Sequence, residues 1–308
     1  MLSTSEEICS DDMAIPETQL ETWSHPGAGP GSRDTYQTVR GALMDAKSGY
    51  AKKDFEVFLQ GSYGNDSNIY GESDVDVVIR LDSTIRGDVS DLPAEQQAAY
   101  HQAFPKATYT FADFKKAVVI RLSNAFGAGN VSAENKAVKI KANGSRRSAD
   151  VVACYQYRRY HWFGDLEDQG YTEGIIFPTQ SNGEIVNYPK QHSENCTAKH
   201  QATNEWFKPM VRIVKNMRSK LVDDGKISKD TAPSYYIECM LWNVPDENFG
   251  RNYVDTFCNC MNWILKTDRT QLKCANEQYL LLGESNVQWS PAKCDLFLSA
   301  SLKLWGEW

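Results

Sequence analysis

The apolar residues of this chain change their spacing part-way along, and that change limits the folds open to it. In the front part, short β-branched or aromatic runs stand between polar turns. The clearest is Val75-Asp-Val-Val-Ile-Arg-Leu81, a strand pattern with Asp74 and Asp76 at its beginning. From about Thr203 onward, apolar residues recur three and four apart: Phe207, Met210, Val211, Val214 and Met217, then Tyr236, Met240 and Leu241, then Phe257, Met261 and Ile264. That is the spacing of one helix face. The chain therefore reads as α+β, with a mixed α/β front over residues 1–200 and a helical lobe over 201–308.

Within the front, the Gly/Pro-rich run from Ser24 to Gly31 cannot be regular structure, and Ser32 is expected to cap a helix reaching about Ala51. A strand over Phe55 to Leu59 then stops at Gly61-Ser62. Helices are expected near 93–104 and 110–126. Paired strands at 135–141 and 147–157 join around Asn143-Gly144, and a hairpin over 174–178 and 183–188 turns at Asn182-Gly183.

With 308 residues and 41% hydrophobic content, the chain can bury an ample core. Its net charge of -7 excludes the broad basic face that duplex binders need. The local basic residues Lys136, Lys139, Lys141, Arg146, Arg147, Arg158 and Arg159 are enough for a small polyphosphate or simply for a solvated strand face. The acidic start, Met1 to Leu20, has no secretory pattern, and no stretch approaches a membrane span, so a soluble, cytoplasmic protein is expected. Eight scattered cysteines without a CxxC pair suggest buried thiols, not a disulfide frame or a zinc site.

Side chains two apart on a strand share a face, so Asp74 and Asp76 present neighbouring carboxylates that repel one another unless cations intervene. Carboxylate oxygens are what magnesium prefers, and Asp150 on a neighbouring strand would complete a two-ion site for phosphoryl transfer. In Leu59-Gln-Gly-Ser-Tyr63, Gly61 permits close backbone approach to a phosphate and Ser62 can donate to it.

Gly61-Ser62, eleven intervening residues, Asp74-Val-Asp76-Val and a later Asp150 inside Ala149-Asp-Val-Val152 together resemble the signature of the polymerase-β-like nucleotidyltransferases. The stretch Leu59 to Val78 is similar to the bacterial cGAS/DncV-like nucleotidyltransferases, the CD-NTases of anti-phage signalling. So are Asn187 to His192, Phe207 to Arg218 and Pro233 to Cys239. The resemblance implies a two-lobed polymerase-β-like core with a mixed sheet and a C-terminal helical lobe. It places Lys215 and Ser234 on the donor triphosphate, Tyr235 against a base, and two magnesium ions, replaceable by manganese, on Asp74, Asp76 and Asp150.

The implied reaction joins nucleoside triphosphates into a cyclic di- or trinucleotide with release of pyrophosphate, in CBASS signalling. No template nucleic acid and no membrane are expected, and the implied state is a monomer open to a regulatory protein partner. His192 and His200 are read as structural or pocket-wall residues. A linear nucleotidyltransferase acting on RNA or a small molecule would share the three carboxylates, and a silent nucleotide-binding module or an interaction protein on the same fold are further alternatives.

Overall fold

The computed structural model of the chain describes residues 14–27, 30–70, 74–105, 107–144, 146–179 and 183–308. Cys9, two residues of the Gly/Pro-rich run and Asn182 of the expected turn lie outside them. In chain order run α1 (Glu17–Ser24), α2 (Pro30–Leu43), β1 (Phe55–Gln60), the single turn α3 (Gly61–Gly64), β2 (Val75–Asp88), α4 (Ala94–Ala103) and α5 (Phe111–Phe126). There follow β3 (Val131–Ala133), β4 (Val138–Ile140), β5 (Ala149–Phe163), β6 (Gln169–Pro178) and β7 (Glu184–Asn187). The chain ends in α6 (Pro189–Ala202), α7 (Phe207–Asp223), α8 (Ser234–Trp242), α9 (Tyr253–Lys266) and α10 (Pro291–Gly306). Among the described residues no helix is long and apolar enough to cross a membrane.

Two compact units form. A sheet unit takes Gly29–Tyr63 and Ser73–Lys190; a helical unit takes Met1–Ala28, Gly64–Glu72 and Gln191–Trp308. In the sheet unit the strand order is β1-β2-β5-β4-β3, with β6 on the far half of β5 and β7 beyond it. Only β2 and β5 run parallel, which makes the sheet mixed and the fold α+β. The odd residues of β2, Val75, Val77, Ile79 and Leu81, pack with Val151 under Val39 and Leu43 of α2 and Phe114, Val118 and Leu122 of α5. Each fully buried aliphatic side chain there contributes about 1.5–3 kcal/mol. The even residues Asp76, Val78 and Arg80 necessarily face the other way.

Local chemistry explains where the elements differ from expectation. Helix α2 starts at Pro30, so Ser32 lies inside it and is buried, not at its cap. The helix also stops at Leu43, well short of Ala51. The chain then turns as Asp45 accepts the Lys47 amide at 2.7 Å, and the buried Tyr50 donates back to the Leu43 carbonyl at 2.9 Å. Strand β2 runs on to Asp88, past a bulge between Leu81 and Ile85.

The helical unit is built on α7, which is buried on nearly every side, from Phe207 through Met210, Ile213 and Val214 to Leu221. Phe257 of α9 and Trp305 of α10 stack at 4.2 Å within the same core. Helix α1 belongs here as well. Its Glu17 carboxylate accepts the free amides of Tyr253 and Val254 at the start of α9, at 2.7 and 2.9 Å. Cys154, Cys196, Cys239, Cys260, Cys274 and Cys294 are free and buried. Cys258 departs from the expected pattern, being disulfide-bonded.

Candidate active site

In the sheet unit, the parallel register of β2 and β5 sets Asp76 directly beside Asp150 on the face away from α2 and α5. Asp74 lies two residues before Asp76, its carboxylate accepting from the Ser148 hydroxyl at the approach to β5. The antiparallel partner of Asp76 on β1 is Gln60, and the chain turns immediately afterwards at Gly61, where φ is +69°. A Cβ at Gly61 would stand 2.2 Å from Asp76 Oδ2. The glycine is thus needed twice, for its left-handed backbone and for its closeness to a carboxylate. Ser62 follows, half-buried, in α3. The structure therefore gathers Gly61, Asp76 and Asp150 at one place, with Asp74 and Ser62 next in sequence.

The electrostatics there favour a cation. Asp150 Oδ1 is buried and has no hydrogen-bond partner among the described residues. Burial first, and then the charges of Asp74 and Glu134, raise the pKa of Asp150, while Lys139, its partner on β4 at 3.8 Å, works against them. Carboxylates held together at such a cost are a hard-oxygen ligand set, and a divalent ion would remove the repulsion. Lys139 and Ser148 therefore join the site. The sequence counted the first only among the basic residues and gave no signal for the second.

Most of the other local basic residues are already engaged. Arg147 donates to the Tyr63 hydroxyl at 3.1 Å, Arg158 lies over the Tyr171 ring at 4.3 Å, Arg159 pairs with Asp91 at 2.8 Å and Arg146 covers Phe126.

The other expected nucleotide residues belong to the helical unit. Lys215 on α7 is fully buried, and its Nζ donates to the Ser67 carbonyl at 2.8 Å. Ser234 opens α8 behind Pro233, its hydroxyl accepting from Arg218 at 3.4 Å. Tyr235 is half-buried. Asn276 donates to its hydroxyl at 3.1 Å, and its ring stacks on His192 at 4.8 Å and 27°.

His192 is itself buried against Glu238, a residue to which the sequence gave no role. His200 is half-buried, and burial and then the nearby Lys208 charge lower its pKa. Ligand atoms of His192, Cys196 and Glu238 lie within 4.8 Å of one another, the only such grouping among the described residues. Glu238 already accepts from Asn65, Ser67 and His192, so this group acts as a hydrogen-bond node.

A mixed sheet carrying paired aspartates after a glycine turn, followed by a helical unit, is the architecture of a nucleotidyltransferase. Residues 194–306 match the family model of the cGAS/DncV-like nucleotidyltransferase C-terminal helical domain. The chain is 43% identical over 297 residues to the cyclic UMP-AMP synthase of Rhodothermus marinus, covering 96% of this chain and 99% of that one. It is 37% identical to cyclic nucleotide synthase CdnE01 of Staphylococcus haemolyticus, over 96% of this chain and 100% of the relative. The solved structure of Rhodothermus marinus CdnE c-UMP-AMP synthase with Apcpp and Upnpp superposes with a TM-score of 0.86 at 42% identity, covering 96% of this chain and 97% of that one. The chain belongs to the cGAS/DncV-like nucleotidyltransferases, and it is an enzyme of cyclic-nucleotide synthesis.

Proposed function

We propose that the protein joins nucleoside triphosphates, without a template, into a cyclic dinucleotide or trinucleotide messenger of bacterial anti-phage (CBASS) signalling. The observation that carries the chemistry is the register that sets Asp76 beside Asp150 with Gly61 against Asp76. Asp74, Asp76 and Asp150 are the magnesium ligands in this reading, with manganese as a substitute. Ions held by these three carboxylates would supply a lowered pKa to the attacking hydroxyl and positive charge opposite the triphosphate.

A ribose hydroxyl oxygen forms a bond to the α-phosphorus, the bond from that phosphorus to the pyrophosphate oxygen breaks, and the hydroxyl proton is lost to solvent. Gly61 and Ser62 orient phosphate oxygens, Lys215 and Ser234 hold the triphosphate, and Tyr235 stacks on a base. The protein is read as a cytoplasmic monomer, open to a regulatory partner.

Mass spectrometry of the product made from all four triphosphates tests the reading. The likeness to a cyclic UMP-AMP synthase makes ATP with UTP the first pair to examine. A product that resists phosphatase supports ring closure, whereas one that loses terminal phosphate would make the enzyme a linear nucleotidyltransferase.

Two substitutions probe the site residues. Gly61→Ala places a methyl group 2.2 Å from Asp76 Oδ2 and strains a backbone at φ +69°. Relieving that contact needs a shift of about 1 Å, which is expected to lower the rate about 10²-fold, and steady-state rates near those of the parent would argue against Gly61 setting the geometry. His192 stacks on the Tyr235 ring at 4.8 Å, and in this reading a base takes the opposite face. Tyr235→Ala should weaken nucleotide binding about tenfold, in line with 1–3 kcal/mol per stacked base, and Tyr235→Phe by less than about threefold. Equal losses in titration calorimetry would count against stacking.

A further inference from the structure

Inside the helical unit the Glu238 carboxylate collects donors from distant parts of the chain. It is 3% exposed. Asn65 Nδ2 donates to Oε2 over 2.9 Å, Ser67 Oγ donates to Oε1 over 2.5 Å, and His192 Nε2 lies 2.9 Å from Oε2. Burial on its own raises the pKa of such a carboxyl. The hydrogen bond and charge of His192, the charge of Lys215 and the Ser67 bond outweigh that effect and hold it at about 2. Glu238 is thus an anion at neutral pH, kept in place by donors on every side.

Two of these partners reach further. The Ser67 carbonyl receives the Lys215 ammonium at 2.8 Å, and the His192 ring stacks on Tyr235 at 4.8 Å. The surrounding segment is pinned as well: Arg212 donates to the Asp66 carbonyl at 2.8 Å, and Asn68 exchanges hydrogen bonds with Gly27 at 3.1 Å in each direction. Glu238 therefore stands one neighbour away from both a buried cation and an aromatic ring.

We infer that Glu238 is a positioning residue for nucleotide binding: through Ser67 it sets where the Lys215 ammonium lies, and through His192 it sets the plane of the Tyr235 ring. The inference rests on the proposed roles of Lys215 and Tyr235. A carboxylate is needed because donors approach both of its oxygens. A glutamine of the same shape turns an NH2 group toward one set of them, so Ser67 or the His192–Asn65 pair must move. If Ser67 moves, its carbonyl takes Lys215 with it. Being buried, Glu238 acts only through these neighbours, so its loss is read in affinity more than in turnover.

The test is calorimetric titration of a nonhydrolysable ATP analogue, with magnesium, into the full chain and its variants. Glu238→Gln is expected to raise Kd about tenfold, which is the loss of one hydrogen bond to a charged group. Ser67→Ala should raise Kd about threefold, and the double variant should bind no more weakly than Glu238→Gln alone, since both cut one chain of contacts. Turnover of Glu238→Gln at saturating nucleotide stays within about threefold of the parent. Met240→Ala, a truncation in the α8 core, should lower thermal stability while leaving Kd unchanged.

A folded Glu238→Gln protein that binds as the parent does overturns the inference. So does an equal loss of affinity in Met240→Ala, which would make general loosening of α8 the cause. If Glu238→Gln does not fold, Ser67→Ala decides, and unchanged affinity there also overturns it. Lys215→Met and Tyr235→Ala are measured alongside. If neither weakens binding, the proposed nucleotide site itself has failed, and the positioning role falls with it.

Discussion

Asp76→Asn is expected to lower the rate of nucleotidyl transfer by more than about 10³-fold, beyond what the loss of a single hydrogen-bond donor costs an enzyme. Asparagine keeps the shape that rests against Gly61, so the turn and the β2–β5 register should survive. What it removes is one negative charge from the place where Asp76 stands beside Asp150. Asp150 carries a buried oxygen without a hydrogen-bond partner among the described residues, and the neighbouring Asp74 charge already raises its pKa.

Because the side chain keeps its shape, the thermal midpoint without divalent ions should stay close to that of the parent. A lost rate with an unchanged midpoint separates a ligand role from damage to the fold. Pyrophosphate release measured over a range of magnesium and manganese concentrations is the assay. Activity within about tenfold of the parent at any concentration would sink the assignment of Asp76 as a metal ligand.

How much of this was legible in the chain depends on how local each cause is. The strand that carries Asp76 was readable because period-two alternation and β-branched side chains are written into seven consecutive residues. The Asp76 and Asp150 pairing needed only a second such strand. Helices α1 and α6 were not foreseen. Helix α6 buries little beyond His192 and Cys196, so it has almost no apolar stripe to read, and α1 is held by Glu17 reaching amides 236 and 237 positions away.

The same reason hid Glu238, whose partners Asn65 and Ser67 lie 173 and 171 positions from it. The sequence does not tell that Lys215, given a role on the triphosphate, is completely buried; α7 is covered on nearly all sides and its polar members must find partners inside. A pattern along the chain reports which face of a helix is apolar. It does not report which polar groups the fold encloses.

Arg80→Met is expected to destabilise the sheet unit by about 3 kcal/mol, because it removes one cation from among three carboxylates. Arg80 is 5% exposed on the same side of β2 as Asp76, with Asp82 and Glu173 at 2.6 Å and Glu56 at 3.0 Å. Methionine fills similar space and is apolar, so lost volume does not explain the effect; stranded charge does. Lys190 remains 2.7 Å from Glu56 and 3.4 Å from Glu173, and partial solvent access to the acids holds the loss at the lower end of the range for broken buried pairs.

The dependence on pH identifies the cause. Burial raises the pKa of Glu173, but the hydrogen bond and charge of Arg80, helped by Lys190, outweigh this and leave it below the ordinary value of 4.5. A depressed carboxyl contributes stability that is present above its unfolded pKa and is lost as pH falls through its folded value. Burial leaves Asp82 raised in spite of Arg80, so without the arginine its ionised form is costlier still. Both effects vanish once the acids are protonated. The gap between parent and Arg80→Met in urea denaturation should therefore be widest near neutral pH and should narrow as falling pH protonates these acids, first in the variant, where burial acts unopposed by Arg80, and then in the parent. A variant at least as stable as the parent near pH 7 would mean that an apolar side chain replaces this ion network without loss. A gap that stays constant down to low pH would mean that packing, not charge, is what Arg80 supplies.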